Sequence, residues 1–323
     1  MTADLVAFLL LLAITAYSTA GGVDFGAGIW DLLAGRSPRG REARALIDHA
    51  MAPVWEVNNV WLVLGIVVCW TGFPLLFQTV FSGLYPLYTA ALIGLILRGA
   101  FFAFRHISDQ PRTHRVADLV FGLSSVLTPF FFAATLGAIA SGNLQPLSPM
   151  SISFGVVSVA ATAFSGASFL VGDARRYGAA EMVDYFRVRA IGAALLLIVV
   201  GTGALVTIGF EAPALLRSML GGKGVPFALV TVVLTPVVAF LIWRRIYRWY
   251  RVLTVSAVGS MVFAWAFAQS PFLVPGRLTI AQAAAPDSTL TLLLVVAAAL
   301  VLIIVPAMGL LYYLDQRGAL ESP

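Results

Sequence analysis

Residues 62–97 read LVLGIVVCWTGFPLLFQTVFSGLYPLYTAALIGLIL and contain no charged side chain. A helix that crosses a bilayer needs about 20 predominantly apolar residues, so this run is long enough to cross twice. The rest of the chain has the same character. Of 323 residues, 60% are hydrophobic and 11% charged, and the mean hydropathy is +0.94. A soluble domain carries roughly 25% charged residues, so a chain of this composition has too little polar surface to face water. The apolar runs are continuous. They do not alternate over segments of about 10 residues, as the strands of a transmembrane β-barrel do. The expected fold class is all-α, a polytopic membrane protein.

The same length rule gives about nine spans, at 5–30, 54–77, 79–104, 116–141, 151–172, 188–210, 226–243, 252–270 and 289–314. The opening MTADLVAFLL lacks the basic stretch of a secretory signal, so the first span is read as a retained helix. Basic residues collect in alternate connections. The first holds Arg36, Arg39, Arg41 and Arg44, and the third Arg98, Arg105, Arg112 and Arg115. The fifth holds Arg175, Arg176, Arg187 and Arg189, and the seventh Arg244, Arg245, Arg248 and Arg251. The intervening connections have only Arg217, Lys223 and Arg277. The positive-inside rule places the basic connections in the cytoplasm, the N-terminus outside and the C-terminus inside. The net charge of +5 then follows from topology and does not call for a nucleic-acid partner.

The first four spans and the next four have similar lengths and loop charges. AGGVDFGAGIWDLLAG (20–35) is loosely like SGASFLVGDARRYG (165–178). The expected organisation is one integral-membrane domain over 1–323, two four-helix units (1–141 and 151–270) and a peripheral final helix at 289–314.

Just before the opening run lies PVWEVNNVWLV (53–63), with Glu56, Asn58 and Asn59 between Trp55 and Trp61. An ionised carboxylate at the edge of hydrocarbon is costly and marks a functional position by default. Asp24 sits near the inner end of the first span and Glu56 near the inner start of the second, so the two share a depth. Arg98 falls at the same side in the third span. Gly21 and Gly28 share the face of Asp24, and Ser18, Gly22 and Gly26 form a second small stripe that lets a neighbouring helix come close. Asp24, Glu56 and Arg98 form the candidate site. Three readings of it compete: a structural Asp24–Arg98 or Glu56–Arg98 pair that locks helix packing, a proton path through a desolvated carboxylate, and a substrate or ion site in a carrier.

Other chemistries leave no trace. His49, His106 and His114 all fall in polar segments, whereas a haem held between spans needs a membrane-embedded ligand. Cys69 is alone, which excludes an internal disulfide, and no Cys/His/carboxylate spacing suggests a metal. There is no phosphate-binding loop.

Five stretches together resemble subunit II of the cytochrome bd-type quinol oxidases. They are GGVDFGAG (21–28), PVWEVNNVWL (53–62), FSGLY (81–85), LRGAFFAFR (97–105) and AWAFAQSPFLVPGRLTIAQAAAP (264–286). Within the second, Trp55, Glu56, Asn58, Val60 and Trp61 match the family signature. The resemblance implies a non-haem subunit of a respiratory electron-transport complex in the bacterial cytoplasmic (inner) membrane. Its partner, subunit I, would hold b- and d-type haems and the main quinol site. Small single-helix subunits and a bound quinone are further members of such complexes. The resemblance also implies that cytoplasmic protons pass through this chain. On that reading Glu56 is the principal carrier, Asp24 shares or relays the proton, Asn58 and Asn59 hold water, and Arg98 stabilises one carboxylate. Trp55 and Trp61 pack the entrance and Arg105 anchors at the interface. The chain departs from the family pattern at Gly21 and Ala103, where an acidic residue is usual. The competing expectation is a proton-coupled transporter that works without a haem partner, for which Pro236 and Pro306 would be the helix breaks.

Overall fold

A computed structural model describes residues 1–35, 37–51, 55–107 and 111–316, with side chains placed for 1–35, 37–50, 58–104, 115–303 and Pro306. The elements in chain order are α1 (Thr2–Leu33), α2 (Pro38–Met51), α3 (Trp55–Gly72), α4 (Pro74–Gly83), α5 (Tyr85–Ile107), α6 (Pro111–Ala140), α7 (Pro149–Arg176), α8 (Ala180–Glu211), α9 (Pro213–Gly221), α10 (Val225–Trp243), α11 (Tyr250–Gln269), the hairpin β1 (Phe272–Val274) and β2 (Leu278–Thr279), α12 (Ile280–Ala283) and α13 (Asp287–Gln316). Among the described residues seven helices are long and apolar enough to cross a membrane. An eighth crossing is the bent pair α3–α4, and the described apolar part of α13 is shorter. The class is helical, as expected, apart from one two-stranded hairpin.

Helix α1 is the axis of the bundle. At 1.5 Å per residue it is about 48 Å long, and it packs against α2, α3, α6, α7 and α11. Between Gly21 and Asp31 almost every residue is buried. The small stripe read from sequence is what permits this. Gly22 faces Thr162 and Ser165 of α7, and at Gly26 the crossing is so tight that a Cβ would overlap the carbonyl oxygen of Thr162. Gly166 meets the same point from the α7 side. Trp30 locks the crossing by donating its indole N–H to the Ala163 carbonyl at 2.8 Å.

Two features differ from the expected spans. The polar segment at 31–53 contains a helix, α2. Pro38 starts it, and Ala43, Leu46 and Ile47 form a buried face at helical spacing. The stretch expected to cross at 54–77 breaks at Phe73 and turns by 115° into α4. Pro74 lacks the N–H that would continue α3. The Gly72 carbonyl that the break leaves free accepts from Ala285 N at 2.9 Å, so the segment after β2 closes the gap. The same device recurs at Ala212–Pro213 between α8 and α9. There Ala212 has φ −139 and ψ 62, against −135 and 63 at Phe73.

The basic connections converge at one end of the bundle. His49 lies edge-on to Tyr177 at 4.7 Å between ring centroids, and Arg39 stands over the Tyr185 ring at 5.5 Å. Arg44 Nη1 pairs with Asp118 at 3.0 Å, and Arg245 pairs with Asp184 at 2.9 Å. Arg187 donates to the carbonyls of Ile242 at 3.0 Å and Trp243 at 2.7 Å, capping the C-terminus of α10. These contacts bind the first, third, fifth and seventh connections to one another, so the charge pattern of the sequence is also a spatial one.

Candidate functional site

Asp24 and Arg98 meet in the interior of the bundle. Asp24 is 2% exposed and Arg98 1%. Arg98 Nη1 donates to Asp24 Oδ2 at 2.9 Å and Nη2 to Oδ1 at 2.8 Å, a bidentate pair of the strong kind. Nη2 also reaches the Asp24 carbonyl at 3.1 Å, and Nε donates to Ser125 Oγ at 3.0 Å. Ser125 in turn donates to the Phe121 carbonyl at 2.7 Å. The rings of Phe25 and Phe121 each lie 4.9 Å from the guanidinium carbon. A buried cation is tolerated only where its charge and all its donors find partners. Here one carboxylate, one hydroxyl and two aromatic faces supply them.

Local sequence places each part. Phe25 adjoins Asp24 on α1. Phe121 and Ser125 are one turn apart on α6 and so face the same groove. Gly28 lies one turn beyond Asp24, and a Cβ there would overlap the Ser125 hydroxyl. The sequence had marked Gly28 only as a small neighbour of Asp24. In the fold it is the residue that lets α6 bring Ser125 to Arg98.

Asn58 stands one layer away. It is 2% exposed, and its Nδ2 and Oδ1 would lie 3.0 and 3.1 Å from a Cβ on Gly21. The carboxamide of Asn58 therefore fills the space beside Gly21, the position where the family resemblance implied an acid. Among the described residues Asn58 Oδ1 has no hydrogen-bond partner, and neither do Tyr17 Oη and Thr128 Oγ1, which are buried on α1 and α6. Tyr17 lies within electrostatic reach of both Arg98 and Asp24. Thr128 is one turn beyond Ser125 and packs on Gly94, itself one turn from Arg98.

Of the expected site, the structure brings Asp24, Arg98 and Asn58 together. Asn59 and Trp61 are half-buried on α3. The side chains of Trp55, Glu56 and Arg105 lie outside the described residues. Ala103, the other departure from the family pattern, is exposed on α5. A carboxylate at 103 would point away from the bundle.

Asp31 is a buried acidic residue that sequence reading assigned to a loop. Helix α1 runs on to Leu33, and Asp31 is fully buried, with Arg44 Nε 3.8 Å from its Oδ1. Arg44 links Asp31 to Asp118, so a second charged cluster ties α1, α2 and α6 at the basic end. The available signal was spacing: Asp31 lies seven residues after Asp24, two turns along the same face.

A family model described as cytochrome bd terminal oxidase subunit II matches residues 2–315. The chain is 32% identical over 127 residues to the cytochrome bd ubiquinol oxidase subunit 2 of Bacillus subtilis, covering 39% of this chain and 37% of that protein. It is 24% identical over 170 residues to the cytochrome bd-I ubiquinol oxidase subunit 2 of Escherichia coli K12, covering 48% and 44%. The matched stretch is thus less than half the length of either relative. The fold aligns with a chain in the structure of bd oxidase from Geobacillus thermodenitrificans at a TM-score of 0.76 and 21% identity, covering 97% of this chain and 98% of the other. With the family model spanning nearly every residue and the fold shared end to end, this chain belongs to the cytochrome bd terminal oxidase subunit II family.

Proposed function

We propose that the chain is the non-haem subunit of a terminal oxidase that oxidises quinol and reduces O2 to water, and that it supplies protons to the haem-bearing subunit I. The family match favours this reading over a transporter acting alone. The described residues do not fit a haem. His49 is exposed on α2 against Tyr177, and the buried groups around Arg98 offer carboxylate, hydroxyl and amide but no imidazole. The b- and d-type haems are assigned to the partner, as the resemblance to subunit II implies. The basic end of the bundle is assigned to the cytoplasm by its charge, in a bacterial inner membrane.

One observation carries the proton reading: Asp24 is fully committed to Arg98, while beside it the oxygens of Asn58, Tyr17 and Thr128 lack partners among the described residues. Buried oxygens of that kind are sites that internal water satisfies. Asp24 then acts as the fixed anchor of Arg98 and not as a carrier. Glu56, in the first turn of α3, is the titrating group, and Asn58 and Asn59 hold the water that links it to the interior. Consumption of cytoplasmic protons at a site fed by this chain would add to the charge separated across the bilayer.

The chain is also read as a duplicated four-helix unit followed by α13. Two parallels support this: the matching breaks at Phe73–Pro74 and Ala212–Pro213, and the equivalent packing of α6 on α7 and of α11 on α1.

The test of the subunit assignment is a reduced-minus-oxidised spectrum of the complex purified through this chain in mild detergent. The expected result is haem b and d bands that travel with a second large subunit and are lost when that subunit is stripped away. Haem retained on the isolated chain, or a colourless chain from membranes whose other haem proteins survive, would contradict it.

A further inference from the structure

The basic end holds more positive charge than its carboxylates can pair. Near the end of α7, the start of α8 and the α10–α11 connection, Asp173 is taken by Arg251, and Asp184 by Arg245 and Arg187. Arg175, Arg176, Arg244 and Arg248 are exposed and make no ion pair among the described residues. Topology alone accounts for their number. It does not account for how they and their neighbours are arranged.

Arg175 lies over the ring of Tyr247 at 4.1 Å. Arg251 lies over Phe169 at 5.0 Å. Gly172 brings Tyr250 Oη and the Arg251 guanidinium to one point, since a Cβ there would overlap both. Tyr250 is 3% exposed and its hydroxyl meets the Arg251 guanidinium, while Tyr247 Oη has no hydrogen-bond partner among the described residues. Arg251 is thus held by Asp173, the Phe169 carbonyl and Tyr250, and the exposed guanidinium groups of Arg175, Arg176, Arg244 and Arg248 are left at the surface of this cluster without an ion pair among the described residues. That is the donor set for a phosphate oxygen.

The rim names the source of the phosphate. Trp243, Ile246, Trp249 and Val252 are exposed by 54%, 46%, 63% and 56%. They lead onto the outward apolar residues Phe240 of α10 and Val255 of α11. Tryptophans at this level are interfacial anchors, and basic pockets between spanning helices take lipid headgroups. We infer that the end of α7 and the α10–α11 connection bind the phosphate of an anionic glycerophospholipid, with Arg175 and Arg248 as its main contacts and the acyl chains along α10 and α11. This inference needs only the membrane-spanning fold and is independent of the proton reading.

The test uses the intact complex in nanodiscs of phosphatidylcholine doped with a small fraction of brominated lipid. Brominated phosphatidylglycerol is expected to quench tryptophan emission more than the same amount of brominated phosphatidylcholine. The excess should vanish in the Trp243→Phe/Trp249→Phe variant. Each arginine near a charged leaflet is worth about fivefold in affinity, so Arg175→Gln/Arg248→Gln should shift the dose dependence by on the order of 25-fold. The Arg175→Lys/Arg248→Lys variant keeps the topological charge, removes the planar fork and should still weaken binding. Equal quenching by the two lipids, an undiminished effect in the lysine variant, or loss of the excess on adding inorganic phosphate would each overturn the assignment. The last would mark a site for a soluble anion.

Discussion

Arg98→Ala is expected to leave the chain unable to accumulate as a stable subunit. The substitution leaves Asp24 charged, 2% exposed and without its guanidinium. Removing one partner of a buried pair typically costs about 3–5 kcal/mol. That is a large share of the total stability of most folded domains. Asp24→Ala should be as damaging, because Arg98 would keep a hydroxyl, a backbone carbonyl and two aromatic faces but no counter-charge among the described residues. The informative comparison is the double variant Asp24→Leu/Arg98→Met. Apolar side chains of similar volume remove both charges and are often neutral or stabilising in a buried site. The double variant should therefore recover much of the assembled complex that either single change loses, as judged by size-exclusion yield and thermal unfolding in detergent. If the singles are tolerated, the pair does not organise the bundle. If the double is as poor as the singles, Arg98 has a task beyond pairing with Asp24.

The second large effect is at the crossing of α1 and α7. Gly26→Ala places a methyl group on the Thr162 carbonyl and beside Gly166 N, 2.8 Å away. Both obstacles are backbone atoms, so no rotamer change relieves the clash and the helices must separate. Overpacking in a tight core costs roughly 1–3 kcal/mol, and a clash against backbone belongs at or above the upper end. The separation would also pull Asp24, two residues away, off Arg98. Gly201→Ala on α8 is the control. Nothing lies within 4 Å of a Cβ there, and alanine is the better helix former by about 1 kcal/mol. Thermal unfolding should fall sharply for Gly26→Ala and hold or rise for Gly201→Ala. Equal behaviour of the two would show that close backbone approach does not set stability.

Much of the fold was legible in the sequence, because the bilayer imposes a length rule that composition alone can satisfy. The run from Leu62 to Leu97 fixed the class, and the alternation of arginines foretold which connections share an end. The break at Phe73 was not legible. Pro74 is equally compatible with the first turn of a helix or the end of a span, and only Ala285 shows where the freed carbonyl goes. Helix α2 was hidden because its arginines dominate the composition of 31–53, while the narrow stripe of Ala43, Leu46 and Ile47 carries its packing. In the site, sequence put Asp24 and Arg98 at one depth but left the arginine's partner open between Asp24 and Glu56. Ser125, Phe25 and Phe121 could not be found from sequence at all. Their contribution depends on how α6 rotates against α1, which Gly28 decides by contact.

The proton reading rests on Glu56. Glu56→Gln keeps size and hydrogen bonding but cannot exchange a proton. Quinol-driven O2 consumption should be measured on Glu56→Gln and parent complexes matched by their haem difference spectra. A lost proton-transfer group typically costs 10²–10⁴-fold, so turnover is expected to fall on the order of 10²-fold with haem content and subunit ratio unchanged. Full turnover in Glu56→Gln at equal haem content would contradict the account.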